Sequence, residues 1–171
     1  MTQITPPSWR WLAILSLTLV FHAAASSPDT ARTVLAIEGT RFAINGRPCF
    51  LLGISYYGGL GASEDFVRKD LADARRHGFN WLRVWATWAG FGSDVSAVGV
   101  DGRPREPFLG RLKWLVAECD RQGLVVDITL NRGRKSASSP AGGWVADIAS
   151  HQRAVETLVT ALKPHRNWYL D

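Results

Sequence analysis

The sequence predicts an α/β protein built as the N-terminal portion of a (β/α)8 TIM barrel, about three and a half β/α units long and preceded by a short β-hairpin. Three observations carry that expectation. Amphipathic helices end on a glycine that is followed at once by a short apolar strand, and the pattern repeats along the chain. The strands begin near Phe50, Trp81, Leu124 and Trp168, a spacing that fits barrel units with extended loops on the strand-to-helix side, over 86–107 and 131–147. Each interval is long enough for the helical crossover that parallel pairing needs. An open doubly wound sheet is the rival architecture. It is disfavoured because "GISYYGGLGA", although glycine-rich, lacks the G-x-G-x-x-G order of a nucleotide loop at a strand-to-helix turn.

The elements follow in order. "VLAIEGTRFAINGRPCF" alternates in hydropathy and turns at Glu38-Gly39 and at Asn45-Gly46, the second a strong two-residue hairpin signal. "SEDFVRKDLADARRHG" has Ser63 as N-cap, Glu64 and Asp65 in the first turn, Arg75, Arg76 and His77 in the last, and Gly78 just past the end. Its Val67, Leu71 and Ala74 share a face. "FLGRLKWLVAECDRQG" repeats the plan with Leu112, Leu115, Val116 and Cys119, closing on Gly123. The strands "FNWLRVW" and "LVVDITL" follow these two helices, and a third helix, about 149–162, leads through Pro164 to "NWYLD".

The front of the chain reads differently. Arg10 precedes the apolar run "WLAILSLTLVFHA" and the small residues Ala23, Ala24 and Ala25, the grammar of a cleavable signal peptide over 1–25, cut after Ala25. The run falls short of the roughly 20 residues of a spanning helix. The expectation is therefore a secreted or periplasmic protein with no stable membrane anchor after cleavage, a linker over 26–33 and one barrel domain over 34–171. The net charge of +5 is scattered over helices and loops without a basic run, so no nucleic-acid partner is expected. Cys49 and Cys119 read as small buried hydrophobes, and their pairing stays open. His22, His77, His151 and His165 are dispersed, so neither a metal nor another cofactor is expected.

Alternation within the strands locates the chemistry. In "WLRVW", Leu82 and Val84 share one face, and Trp81, Arg83 and Trp85 the other. In "LVVDITLN", Leu124, Val126, Ile128 and Leu130 face helices, leaving Val125, Asp127, Thr129 and Asn131 opposite. An interior that turns polar toward the strand C-termini suits a barrel active-site mouth. Arg83 cannot shed its charge, so it must find carboxylates or carbonyls. Either it forms a structural ion pair, with Asp127 at hand, or it orients and holds ionised a catalytic carboxylate. Tyr56, Tyr57, Trp85, Trp88 and Trp144 fall at strand ends or in the loops beyond, where flat apolar faces with polar edges suit sugar rings. They are the candidate substrate-binding residues for a polysaccharide or oligosaccharide.

The segments "FAINGRPCFLLGISYYGG", "VRKDLADARRHGFNWLRVWATW" and "LGRLKWLVAECDRQGLVVDITLNRG" resemble the N-terminal half of a clan A (β/α)8 glycoside hydrolase, close to glycoside hydrolase family 5, the cellulase and mannanase group. The resemblance runs from about Val34 to Asp171 and is most specific in G-F-N-x-x-R-x-W, residues 78–85. It implies that Arg83 takes the place of the arginine beside the nucleophile and that Asn131 is the polar residue ending the third strand. It also implies a retaining mechanism with two glutamates, an acid/base ending strand four and a nucleophile ending strand seven, neither of which falls within these 171 residues. Asp127 sits too early on its strand to replace one, and Asp171 has no strand above it. The expectation is a fragment, inactive alone, of a hydrolase of β-linked glycans, with mannan, cellulose, glucan and a glycoconjugate all open as substrates. Two further classes remain: a non-catalytic secreted glycan-binding protein using the aromatic rim, and a half-barrel that dimerises.

Overall fold

The computed structural model describes Met1 and residues 32–131 and 142–171. The expected signal peptide with its cleavage site, the linker up to residue 31, and the middle of the loop after the third barrel strand lie outside the described residues.

The opening ribbon has three strands, one more than a simple hairpin: β1 (Leu35–Glu38), β2 (Arg41–Ile44) and β3 (Arg47–Cys49), antiparallel in that order. Both sequence turns are used. Asn45 and Gly46 have φ values of 52° and 71°, the left-handed pair that a two-residue turn between right-twisted strands requires. The barrel part follows as β4 (Gly53–Ser55), a 3-10 turn (Gly59–Gly61), α1 (Glu64–Arg76), β5 (Trp81–Trp85), a small hairpin β6 (Ala89–Gly90) and β7 (Ser93–Asp94), α2 (Phe108–Gln122), β8 (Val125–Thr129), α3 (Ile148–Leu162) and β9 (Trp168–Leu170). β4, β5, β8 and β9 form one sheet in that order, every pair parallel. Four strands in chain order, joined by helices on one face, are consecutive units of a (β/α)8 barrel.

Local signals explain most element ends. The Ser63 hydroxyl accepts from Phe66 N at 3.3 Å to start α1, and the Asp147 carboxylate accepts from Ser150 N at 2.7 Å to start α3. Gly123, at φ 74°, ends α2. The first barrel strand starts at Gly53 instead of near Phe50. Asn80 makes the pairing there: its backbone N–H donates to Leu52 O at 2.9 Å, and its side chain accepts from Leu52 N at 2.8 Å and donates to Phe50 O at 2.9 Å, so a side-chain amide extends the ladder toward Phe50.

The helices cover one face of the sheet. Leu82, Val84, Leu124, Val126 and Ile128 pack against Val67, Leu71, Leu112, Leu115, Val116, Cys119, Leu158 and Leu162, and none of these is more than 1% exposed. Burial of each large side chain contributes about 1.5–3 kcal/mol. Cys119 belongs to this core and Cys49 lies half-buried on β3; both thiols are free. The ribbon closes the N-terminal end of the strands. Leu35 N donates to Arg166 O at 2.9 Å, Thr33 bonds Asp120 through both its N–H and its hydroxyl, and the Phe42 ring stacks on Tyr169 at 6.4 Å. The C-terminal strand ends are thereby left as the open end.

Candidate active-site face

The sheet face turned away from the helices carries the polar residues. Register places Ser55, Arg83, Asp127 and Tyr169 on one rung across β4, β5, β8 and β9. Arg83 is the centre of that rung. Its Nε donates to Asp127 Oδ2 at 2.9 Å, and its Nη2 lies 2.8 Å from Asp127 Oδ2 and 2.8 Å from Asp171 Oδ2. The Trp81 ring, one residue pair below on the same strand face, lies 5.4 Å under the guanidinium and donates its Nε1–H to the Tyr169 hydroxyl at 2.9 Å. The Asp127 contact raises the Arg83 pKa further above its already high ordinary value. Burial, with the neighbouring Asp171 carboxylate adding to it, pushes the Asp127 carboxyl up from the ordinary aspartate value against the opposing pull of Arg83. Burial likewise raises the Tyr169 phenol.

Asp127 therefore holds the arginine from beneath. With 0% of its surface exposed, it cannot touch a substrate. Among the described residues its second oxygen, Oδ1, has no hydrogen-bond partner, nor does the buried Thr129 Oγ1 two residues along the same strand face. Asp171 is half-exposed and caps the guanidinium from the open end.

At the strand ends the aromatic residues divide. Tyr57 and Trp85 stack face to face, ring centres 4.4 Å apart and planes within 15°, with Tyr57 62% exposed. Tyr56 points the other way: its hydroxyl donates to Asp70 on α1 at 2.8 Å, and burial raises its pKa. Trp88 packs on the edge of the core, its ring within 3.4 Å of the Cβ position of Gly58. Trp144 is half-buried, and its Nε1 has no hydrogen-bond partner among the described residues. Asn131 joins loops: its N–H donates to Thr87 Oγ1 at 2.7 Å, its Nδ2 donates to Thr87 O at 3.2 Å, and Val145 N donates to its carbonyl at 2.9 Å. Sequence reading did not single out Thr87, Tyr169 or Phe91. The parallel register makes Tyr169 the rung partner of Asp127, and the Gly90-Phe91-Gly92 triplet was the available signal for the third. Among the described residues no group of three or more His, Cys, Asp or Glu is gathered as a metal site.

A parallel half-barrel with a paired arginine on its inner face and aromatic loops at the strand C-termini defines the class of (β/α)8-barrel proteins whose sites lie at that end. No family model matches the sequence, and no curated protein matches it. Solved structures do. The chain is similar to a β-mannanase from the blue mussel Mytilus edulis, with 18% identity over 82% of this chain and 45% of that one, at a TM-score of 0.53. It also aligns with a glycoside hydrolase family 5 mannosidase from Rhizomucor miehei in complex with mannosyl-fructose (18% identity, 75% of this chain and 32% of that one, TM-score 0.49). A glycoside hydrolase family 5 protein from Bacteroides vulgatus aligns at 13% identity over 82% of this chain and 39% of that one, TM-score 0.41. The chain thus spans 32% to 45% of the length of these proteins. The mussel structure carries the argument, and what it establishes is the fold, a partial (β/α)8 barrel.

Proposed function

We propose that this chain is the N-terminal part of a secreted hydrolase that cleaves O-glycosidic bonds in β-linked polysaccharide or oligosaccharide by a retaining mechanism. The observation that carries the reading is Arg83, a permanent cation fixed on the inner face of the second barrel strand by Asp127 and opening toward the strand C-termini through Asp171. A retaining glycosidase needs two carboxyl groups about 5–5.5 Å apart, one ionised and one protonated. A fixed guanidinium beside the nucleophile keeps that carboxylate ionised and oriented while the sugar's positive charge develops. In this reading Asp171 occupies the side of the guanidinium that the nucleophile shares, and Asp127 serves only to hold the arginine. The two catalytic glutamates come from further β/α units. The Tyr57–Trp85 stack and Asn131 form part of the sugar-binding rim.

Two experiments test the proposal. The first compares the 171-residue chain with a form extended along its reading frame, each incubated with soluble β-mannan and β-glucan and followed by reducing-sugar release. The expected result is activity only in the longer form, lost on Arg83→Ala; hydrolysis by the longer form that survives this substitution would remove Arg83 from the mechanism. N-terminal sequencing of the exported protein checks secretion, with Ser26 expected first. A non-catalytic glycan-binding protein is the second reading, favoured by the exposure of Tyr57 alone; it predicts glycan binding but no hydrolysis by either form.

A further inference from the structure

The β6–β7 hairpin carries a residue that its turn does not want. β6 pairs Ala89 with Asp94 and Gly90 with Ser93, so Phe91 and Gly92 are the two turn residues. Their φ values are 51° and 81°. Asparagine, aspartate or glycine normally fills the first position of such a turn, because a bulky side chain there strains the backbone. Phe91 gains no burial in return, since it is 100% exposed.

The hairpin is nevertheless held firmly to the candidate site. The Trp88 ring lies 3.0 Å from the Cβ position of Gly90 and 3.4 Å from that of Gly58, so the indole sits where side chains on either glycine would crowd it. Trp88 N donates to Ser96 Oγ at 3.0 Å, and Val95 N donates to Trp88 O at 3.0 Å. Phe91 lies against the free side of this pillar, ring centres 6.0 Å apart at 44°. Gly58 directly follows Tyr57, which stacks on Trp85. Two aromatic pairs, Tyr57–Trp85 and Trp88–Phe91, thus neighbour each other through Gly58, with Tyr57 and Phe91 as their exposed rings.

We propose that Phe91 is a glycan-docking residue: with Tyr57 it forms a ledge beyond the Arg83 face on which successive sugar rings of a β-linked glycan chain stack. The ligand class rests on the glycan reading given above. The shape favours such a chain over a protein partner. Two exposed rings flanked by glycines offer an area far short of the roughly 800 Å² per side that a stable protein interface buries. The strained turn is then the cost of holding an aromatic ring out in water, where backbone strain commonly marks function.

The decisive variant is Phe91→Asn, which suits the turn and removes the ring. The chain and its variant are run on native gels containing soluble β-1,4-glucomannan, soluble α-glucan or no polysaccharide, alongside thermal unfolding and sedimentation velocity. The expected result is retardation by the β-glycan only, a Tm in the variant higher by about 2–4 °C from relief of the turn, and binding weakened roughly three- to tenfold. Equal retardation of variant and wild type overturns the role of Phe91 while leaving the glycan reading in place. Absence of retardation of the wild type by either glycan overturns both. A change in sedimentation without a change in glycan binding overturns the proposal in favour of a second copy of the chain on the ledge.

Discussion

Arg83 and Asp127 face each other across adjacent parallel strands, and a single carboxylate oxygen, Asp127 Oδ2, meets both Nε and Nη2 of the guanidinium, at 2.9 and 2.8 Å. The two residues are register partners, so backbone pairing aligns them before any side chain is placed. Because Asp127 is wholly buried and Arg83 is one-third exposed, the carboxylate is the fixed member and the arginine the presented one.

Removing the fixed member should therefore cost more than removing the exposed one. Asp127→Ala removes the acceptor that both Nε and Nη2 of Arg83 meet and leaves a gap at a fully buried position, and should lower stability by about 1–3 kcal/mol. Asp171→Asn removes a half-exposed partner of the same nitrogen and should stay within about 0.5 kcal/mol. Urea unfolding of both variants checks the contrast, and equal effects would show that burial does not set the hierarchy.

Two aspartates should titrate on opposite sides of their ordinary value. Asp147 caps α3, and the backbone N–H of Ser150 is the main cause that draws its carboxyl below 3.8. Its support for the fold is present above that value and fades as pH falls through the depressed one. Asp127 runs the other way: burial raises its carboxyl above 3.8, so the folded chain holds that proton more tightly than the unfolded chain. Its contribution is full below 3.8 and is lost as pH rises through the raised value. Carboxyl 13C shifts followed from pH 2 to 7 should show Asp147 ionising first; the reverse order would contradict the burial argument.

What the sequence made legible is what periodicity carries. The apolar faces of α1 and α2, the glycines after them, and the inward placement of Trp81, Arg83 and Trp85 all follow from spacing and alternation. The third ribbon strand was latent in the two turn signals. The start of β4 was not readable, because the Asn80 side chain makes the bonds to Leu52 N and Phe50 O, and no local pattern announces a side chain acting as backbone. The site was legible by residue type more than by role. Tyr56 and Tyr57 are neighbours of like chemistry, yet one bonds to α1 and the other stacks at the rim, a divergence fixed by tertiary partners. Phe91 was hidden because a phenylalanine between glycines reads as irregular loop until its backbone angles are known.

Thr87 links the loops beyond the second and third barrel strands. It is fully buried, and its hydroxyl oxygen accepts the Asn131 N–H at 2.7 Å. Thr87→Val keeps the shape and leaves that N–H without its partner, a loss of about 1–2 kcal/mol. The exchange rate of the Asn131 amide should rise with it. Unchanged exchange would mean that the Asn131 side-chain bond to Thr87 O suffices to hold the loops.

The edge strand β4 depends on a glycine for a steric reason. A Cβ on Gly53 would fall 1.7 Å from the Trp81 carbonyl oxygen and 3.0 Å from its ring, so alanine cannot be accommodated unless β4 moves off β5. That movement would break the rung that sets Ser55 beside Arg83 and the Tyr56 N–H bond to Arg83 O at 2.8 Å. Gly78 provides the comparison, since its φ of 84° strains any other residue but a Cβ there meets nothing within 4 Å. Gly78→Ala should cost about 1 kcal/mol from backbone strain alone. Gly53→Ala should cost more, about 1–3 kcal/mol or beyond, because the clash is with backbone that side-chain rotation cannot relieve. It should also shift the tryptophan emission as Trp81 is displaced, whereas Gly78→Ala leaves the emission unchanged. Equal destabilisation with no spectral change in either variant would mean that β4 is not held against β5 at this distance.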